Sequence, residues 1–133
     1  MKFSNGRVLI FLGGMHALFA VGPAAFGEQF AGVAGRFFFQ VSEGLLEFPL
    51  VGGRMEYANF AAFWFFYFGL LLIPAGLLLD AFERAAGNPP ASFVWSYLIV
   101  VLVGVYMIPF SGMTFLMLPH ALYMLTRARY SVV

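Results

Sequence analysis

Two histidines are the residues best able to do chemistry in this otherwise apolar chain. His16 and His120 each stand near the middle of a long hydrophobic stretch, at 8–26 and 113–126. Placing an ionisable side chain at membrane depth costs free energy, so each histidine is a candidate functional residue. If the two stretches form neighbouring helices, the imidazoles can ligate a haem iron or the magnesium of a chlorin. The alternative is packing, in which each imidazole hydrogen-bonds an adjacent helix.

A second group of polar side chains repeats with helical spacing. Arg36, Gln40, Glu43 and Glu47 follow one another at i, i+4, i+7 and i+11, so they share one face of a predicted helix at 35–48. Two carboxylates one turn apart can act as acid and base when burial separates their pKa values. This requires the polar face to turn towards a pocket. On an interfacial helix the same face meets water and has no catalytic role.

Two tyrosines are candidates for lining a ligand pocket. Tyr67 and Tyr106 lie deep in apolar stretches, where a tyrosine needs a partner for its hydroxyl group. Trp95 and Tyr97 lie near the start of another stretch. Aromatic residues at that position are typical interface anchors, and we interpret these two in that way.

Several classes of site are excluded by composition. The chain has no cysteine, which removes thiol catalysis and cysteine-bound metals. It contains no phosphate-binding loop, metalloprotease helix or dinucleotide fingerprint. The net charge of +1 gives no basis for binding nucleic acid. We therefore predict no resident cofactor, with haem or chlorin as the alternative.

The elements that position these residues are predicted to be membrane helices. Hydrophobic residues make up 62% of the chain and charged residues 10%, whereas a soluble domain carries about 25% charged residues. The apolar stretches predict four spans, at 8–26, 60–79, 92–110 and 113–126. The fold class is thus an all-α integral membrane protein: a single domain over 1–133 that forms a four-transmembrane-helix bundle. The amphipathic helix at 35–48 would lie in the interface between the first two spans.

Two local features support this division into spans. Residues 93–125 form one apolar stretch of about 33 residues, too long for a single span, and Pro109 and Gly112 predict a break within it. The 60–79 span is followed by Asp80 and Arg84, whose i, i+4 spacing allows them to pair on the last helical turn.

The distribution of basic residues predicts the orientation. With an even number of spans, five basic residues fall on the side of the two termini: Lys2, Arg7, Arg84, Arg127 and Arg129. Arg36 and Arg54 fall on the other side. Because basic residues are enriched on the cytoplasmic side, we expect both termini in the cytoplasm and the protein in the inner (cytoplasmic) membrane.

Three groups of motifs also resemble a known family. They are Gly13-Gly14-Met15-His16, then Phe63-Trp64-Phe65 with Gly69, Gly76 and Asp80, and finally Pro109-Phe110-Ser111-Gly112 followed by Pro119. In this order they resemble a bacterial family catalogued as domain of unknown function 6463, which consists of small four-helix membrane proteins. The resemblance implies a fold and a cell-envelope location but no activity. His16 falls on the family's motif, whereas His120 stands where the family pattern implies an apolar residue.

Three functions follow as hypotheses. The first is a non-catalytic membrane protein that binds a hydrophobic ligand or lipid, or that serves as an accessory subunit of a larger membrane complex or homo-oligomer. The second is a membrane enzyme acting on a lipid, quinone or terpenoid through Glu43, Glu47 and His16. The third is a haem- or chlorin-binding protein that uses His16 and possibly His120. His16, Arg36, Gln40, Tyr67, Tyr106 and His120 are the predicted ligand-binding residues.

Overall fold

The protein is mainly helical in the residues that its computed structural model describes, 4–35 and 50–129. Within these residues, five α-helices follow one another: α1 (Asn5–Ala20), α2 (Gly27–Ala34), α3 (Tyr57–Ala86), α4 (Ala91–Met107) and α5 (Leu118–Arg129). A π-helical turn, Met113–Met117, leads directly into α5. The all-helical class predicted from the sequence is thereby confirmed.

A short antiparallel hairpin precedes α3 and was not foreseen. Its strands are β1 (Leu50–Val51) and β2 (Arg54–Met55), with Leu50 opposite Met55. Gly52 and Gly53 form the connecting turn with φ angles of +56° and +75°, a backbone region that glycine enters without steric cost. These two glycines therefore make the turn that joins the strands.

The chain divides into two compact units by its internal contacts. The first unit comprises Met1–Val8 and Gly76–Val133, and the second comprises Leu9–Ala75. Helices α1 and α3 contribute residues to both units.

In the second unit, the helix predicted over 8–26 ends early. Helix α1 stops at Ala20, and residues 21–26 form turns before α2 begins at Gly27. The N–H of Gly22 donates to the carbonyl of Phe19 at 3.0 Å, and the N–H of Gly27 donates to the carbonyl of Gly22 at 3.0 Å. Pro23 follows directly and has no N–H to continue a helical ladder. The regular helix therefore ends at Ala20, within the stretch assigned to the first span.

Glycine and small side chains allow α1 and α3 to lie close together in the second unit. A Cβ atom added to Gly13 would stand 2.6 Å from the carbonyl oxygen of Gly69, and one added to Gly69 would stand 2.8 Å from the backbone nitrogen of Ala17. Such distances leave no room for a side chain. Ala17 and Ala62 are also buried. Small residues at these positions allow the two helices to pack closely.

In the first unit, α3 ends and α4 begins around Gly87. Gly87 has a φ of +84°, and its N–H donates to the carbonyl of Glu83 at 2.8 Å, which closes the last turn of α3. Helix α4 starts at Ala91, directly after Pro90.

The predicted break in the long apolar stretch is confirmed. Helix α4 ends at Met107, and the N–H of Ile108 makes its last helical bond, to Gly104, at 2.8 Å. Pro109 has no N–H to offer, and its carbonyl oxygen accepts a hydrogen bond from the Thr114 hydroxyl at 2.6 Å. The chain then turns into the π-helical segment and α5, which pack against α4 through buried side chains: Val94, Leu98, Val101, Met117, Ala121 and Met124.

Helix α3 has the length and apolarity needed to cross a membrane. It has 30 residues and contains the whole predicted span at 60–79, including Pro74. In the described part of the chain it is the one helix that meets both criteria, while α4 is apolar but only 17 residues long. Of the most apolar window of α3, only 22% is buried within the protein.

Candidate functional site

The first turn of α1 lies directly against the last turns of α3 in the first unit. A Cβ atom on Gly6 would collide with the backbone nitrogen of Asp80 and the carbonyl oxygen of Gly76, so only glycine fits there. This approach brings the polar residues around Gly6 to the charged end of α3. A carboxylate cluster, Asp80 and Glu83, forms where the two helices meet.

Asp80 is the centre of an ion-pair network. Its side chain is only 8% exposed. Arg84 Nη2 lies 2.9 Å from Oδ2, and Arg7 Nε lies 3.6 Å from Oδ1, which also accepts a hydrogen bond from the Ser4 hydroxyl. The predicted Asp80–Arg84 pair is confirmed. The contacts of Ser4 and Arg7 with Asp80 were not predicted, since no local spacing links residues so distant in sequence.

Glu83 caps the N-terminus of α1 with its carboxylate. The Asn5 side-chain amide donates to Oε1, and the Gly6 backbone N–H donates to Oε2 at 3.1 Å. The first N–H groups of a helix have no partner within the helix, and the positive end of the helix dipole favours an anion there. Thus all four carboxylate oxygens of the cluster already have donors from the protein.

A cleft opens beside this cluster, and we call it the arginine cleft. Its volume is about 500 Å³. It is lined by Ser4, Asn5, Arg7, Asp80, Glu83, Arg84, Gly87, Asn88, Pro89, Tyr123 and Arg127. Three arginines against two carboxylates give the lining a formal charge of +1 (3 − 2).

Arg127 carries the unbalanced positive charge of the cleft. Its Nε and Nη2 atoms donate to the hydroxyl of Tyr123 at 3.1 Å and 3.0 Å, and its guanidinium lies 5.5 Å from the centre of that ring. Across residues 4–35 and 50–129, no carboxylate forms a salt bridge with it. Sequence reasoning counted Arg127 towards orientation but did not single it out as a site residue.

His16 packs against α3 in the second unit. Its Nε2 lies 3.0 Å from the carbonyl oxygen of Phe65, which can only accept, so Nε2 carries the proton. The imidazole lies 4.1 Å from the Phe65 ring and 5.4 Å from the Phe68 ring, between centroids. This hydrogen bond between helices is the one that the packing interpretation requires.

His120 meets a tyrosine in the first unit. Its Nδ1 lies 3.4 Å from the hydroxyl oxygen of Tyr97, and the rings meet edge to face with centroids 5.7 Å apart. Both residues are buried, so the interpretation of Tyr97 as an interface anchor was wrong. Within the described residues, Nε2 of His120 has no hydrogen-bond partner. The structure thus brings His120 together with Tyr97, a pairing that no spacing predicted.

The remaining candidates from the sequence are two tyrosines that the structure describes and four residues that it does not. Tyr67 and Tyr106 are 39% and 89% exposed, so the enclosed hydroxyl groups expected of a pocket are not observed there. Arg36, Gln40, Glu43 and Glu47 lie outside the described residues. In the part of the chain that the structure describes, no three His, Asp or Glu side chains converge as they would around a metal ion.

Replacing His16 with leucine tests the packing interpretation. We expect a loss of about 1 kcal/mol in the free energy of unfolding, since a hydrogen bond between helices contributes about that much. The measurement is detergent-induced unfolding followed by circular dichroism. An absorption spectrum of the purified protein is the control: a Soret-type or near-infrared band that disappears in the variant would contradict packing and support haem or chlorin ligation.

Fold and site together define a small all-helical protein with one long apolar helix and a basic cleft at the end of that helix. The chain belongs to the family of unknown function DUF6463, whose model matches residues 2–131. The resemblance inferred from the glycine, aromatic and proline motifs is thereby confirmed. No curated protein and no solved structure matches the sequence.

Proposed function

We propose that this protein is a small, non-catalytic integral membrane protein with four spans that binds a lipid or another hydrophobic molecule. The observation that carries the proposal is the exposure of α3. A core helix of a soluble protein is mostly buried, whereas only 22% of the most apolar window of α3 is buried. Apolar surface exposed to water costs about 25 cal/mol per Å², so hydrocarbon is the environment that suits this helix.

The other helices add to the apolar surface. Large hydrophobic side chains are exposed along them, including Phe11 on α1, Val103 and Met107 on α4, and Leu122 on α5. Large apolar side chains exposed in this number mark contact with membrane or protein. Helices α1 and α4 have 16 and 17 residues, about 24–26 Å long, slightly below the bilayer core of about 30 Å. A mismatch of this size costs only fractions of a kcal/mol per Å.

The arginine cleft supports the proposed orientation. In a four-span protein with cytoplasmic termini, the start of the first span and the ends of the second and fourth lie on one side. Arg7, Arg84 and Arg127 stand at these three places and line one cleft. Their convergence is what the positive-inside rule requires of cytoplasmic ends.

The donor patterns support a non-catalytic role. The oxygens of Asp80 and Glu83 are occupied by protein donors, and His16 donates to a backbone carbonyl. An acid–base catalyst must instead present its group to a substrate. The enzyme alternative therefore depends on Glu43 and Glu47. A role as accessory subunit would place another protein, rather than lipid, against the same apolar surfaces.

Single cysteines test the four-span topology, because the chain has no cysteine of its own. We expect Glu56→Cys and Phe110→Cys to react with a membrane-impermeant maleimide added to intact spheroplasts. Ala86→Cys and Ser131→Cys should react only after the membrane is permeabilised. Labelling at position 86 in intact cells, or release of the protein by alkaline carbonate, would contradict the proposal.

Native mass spectrometry from mild detergent tests ligand binding. We expect the protein to retain lipid or a hydrophobic small molecule. A bare, stable monomer would contradict binding, while a stoichiometric second protein would point to the accessory-subunit role.

A further inference from the structure

We propose that the arginine cleft binds a phosphate group, and that its position assigns the phosphate to an anionic phospholipid of the cytoplasmic leaflet. This inference rests on the proposed function, since it needs the cleft at the membrane surface. It names the chemical class of lipid and the residues that select it.

The charge of the arginine cleft favours an anion. Asp80 and Glu83 would repel an anion, but protein donors already occupy their four oxygens. Arg7 and Arg84 beside Asp80 offset the negative charge of that carboxylate. Each arginine has five N–H donors, and its ion pair with Asp80 leaves most of them unused. Arg7 and Arg84 have side chains 48% and 65% exposed, so these donors can reach a ligand.

The position of Arg127 suits a phosphate ligand. The hydroxyl oxygen of Tyr123 accepts hydrogen bonds from two nitrogens of this guanidinium. These bonds fix which edge of the guanidinium faces the Tyr123 ring. The Tyr123 hydroxyl keeps its own hydrogen to donate to a phosphate oxygen. Arginine binds phosphate through paired, parallel N–H bonds, so an arginine held in one orientation is suited to this ligand.

The size and place of the arginine cleft suit a lipid headgroup. A volume of about 500 Å³ is within the range of small-molecule sites and suits a phosphoglycerol headgroup. On the same end of α3, Leu77 and Leu78 are exposed, 55% and 75%, and offer apolar surface to acyl chains. Basic pockets between transmembrane helices on the cytoplasmic side are typical sites for anionic headgroups.

The test uses the full chain in nanodiscs that contain phosphatidylglycerol and phosphatidylcholine in equal amounts. Lipid that remains bound after transfer to detergent is quantified by native mass spectrometry. We expect the wild-type protein to retain phosphatidylglycerol in preference, and Arg127→Gln to lower that preference about fivefold. Arg54→Gln, which removes an exposed arginine from the hairpin, is the matched control and should leave the preference unchanged.

Two further variants keep the test informative if Arg127→Gln is poorly folded. Tyr123→Phe removes only the hydroxyl that positions Arg127 and should reduce the preference without changing the far-ultraviolet circular dichroism spectrum. Arg127→Lys keeps the charge without the paired donors and should fall between wild type and Arg127→Gln. Equal retention of the two lipids by the wild type, or an equal loss in Arg54→Gln, would overturn the inference.

A competition with inorganic phosphate separates the two sources of phosphate. We expect millimolar phosphate to leave bound phosphatidylglycerol in place, whereas displacement by phosphate would overturn the assignment to a lipid. If the cysteine-labelling pattern holds and lipid co-purifies without preference for phosphatidylglycerol, only this inference fails. If carbonate releases the protein from the membrane, the proposed function fails with it.

Discussion

Replacing Asp80 with alanine is expected to lower the free energy of unfolding by about 2–3 kcal/mol. The Asp80 side chain is 8% exposed, accepts a hydrogen bond from Ser4 and forms ion pairs with Arg7 and Arg84. Breaking a buried ion pair by removing one partner costs about 3–5 kcal/mol. The expected cost is lower here because both arginines are about half exposed and regain water when the carboxylate is lost.

The measurement is equilibrium unfolding in mixed micelles, in which the fraction of SDS is raised and helicity is followed by circular dichroism. Arg84→Gln is the control within the same network. Since Arg84 is 65% exposed and Asp80 keeps Arg7 and Ser4, this variant should lose no more than about 1 kcal/mol. If Asp80→Ala were as stable as wild type, the network would not hold the first turn of α1 against α3.

This network shows how far sequence reasoning reaches. The Asp80–Arg84 pair was predicted because helical geometry alone places residues at i and i+4 side by side. Arg7 and Ser4 join the same carboxylate from more than seventy positions away. These contacts form because Gly6 has no side chain, which lets the two helices touch. This close approach belongs to the tertiary packing, which no periodicity in the sequence encodes.

The ends of the helices were predictable where the backbone chemistry is local. Pro109 ends α4 as expected, because proline cannot donate the next helical hydrogen bond. The early end of α1 has a similar cause at Pro23, but the apolar residues beyond Ala20 hid it. Hydrophobicity indicates which residues avoid water, and a turn within an apolar stretch leaves that indication unchanged.

For the two histidines, the limit of sequence-based prediction lies in their partners. The sequence identified both as unusual, because ionisable groups within apolar stretches are rare. It did not identify their partners, since Phe65 and Tyr97 are ordinary residues in aromatic-rich helices. Partners of this kind are set by how helices cross and rotate. The interpretation of His16 as a packing residue was available from the sequence, whereas the contact of His120 with Tyr97 was not.

Replacing Gly13 with alanine is expected to lower the free energy of unfolding by about 1–2 kcal/mol. The added Cβ would stand 2.6 Å from the carbonyl oxygen of Gly69 and 2.9 Å from Cβ of Leu72, so α1 and α3 must move apart. Overpacking of this kind costs about 1–3 kcal/mol. Alanine is the better helix former by about 1 kcal/mol, and this gain offsets only part of the strain.

Gly14→Ala is the matched control, because it makes the same change one residue along the same helix. A Cβ atom on Gly14 meets nothing within 4 Å, so this variant keeps the gain in helix propensity and should be as stable as wild type or more stable by up to about 1 kcal/mol. Both variants are measured by the same SDS titration. Equal effects would mean that α1 tolerates a side chain facing Gly69, whereas a loss confined to Gly13→Ala locates the close contact between α1 and α3 on that face of α1.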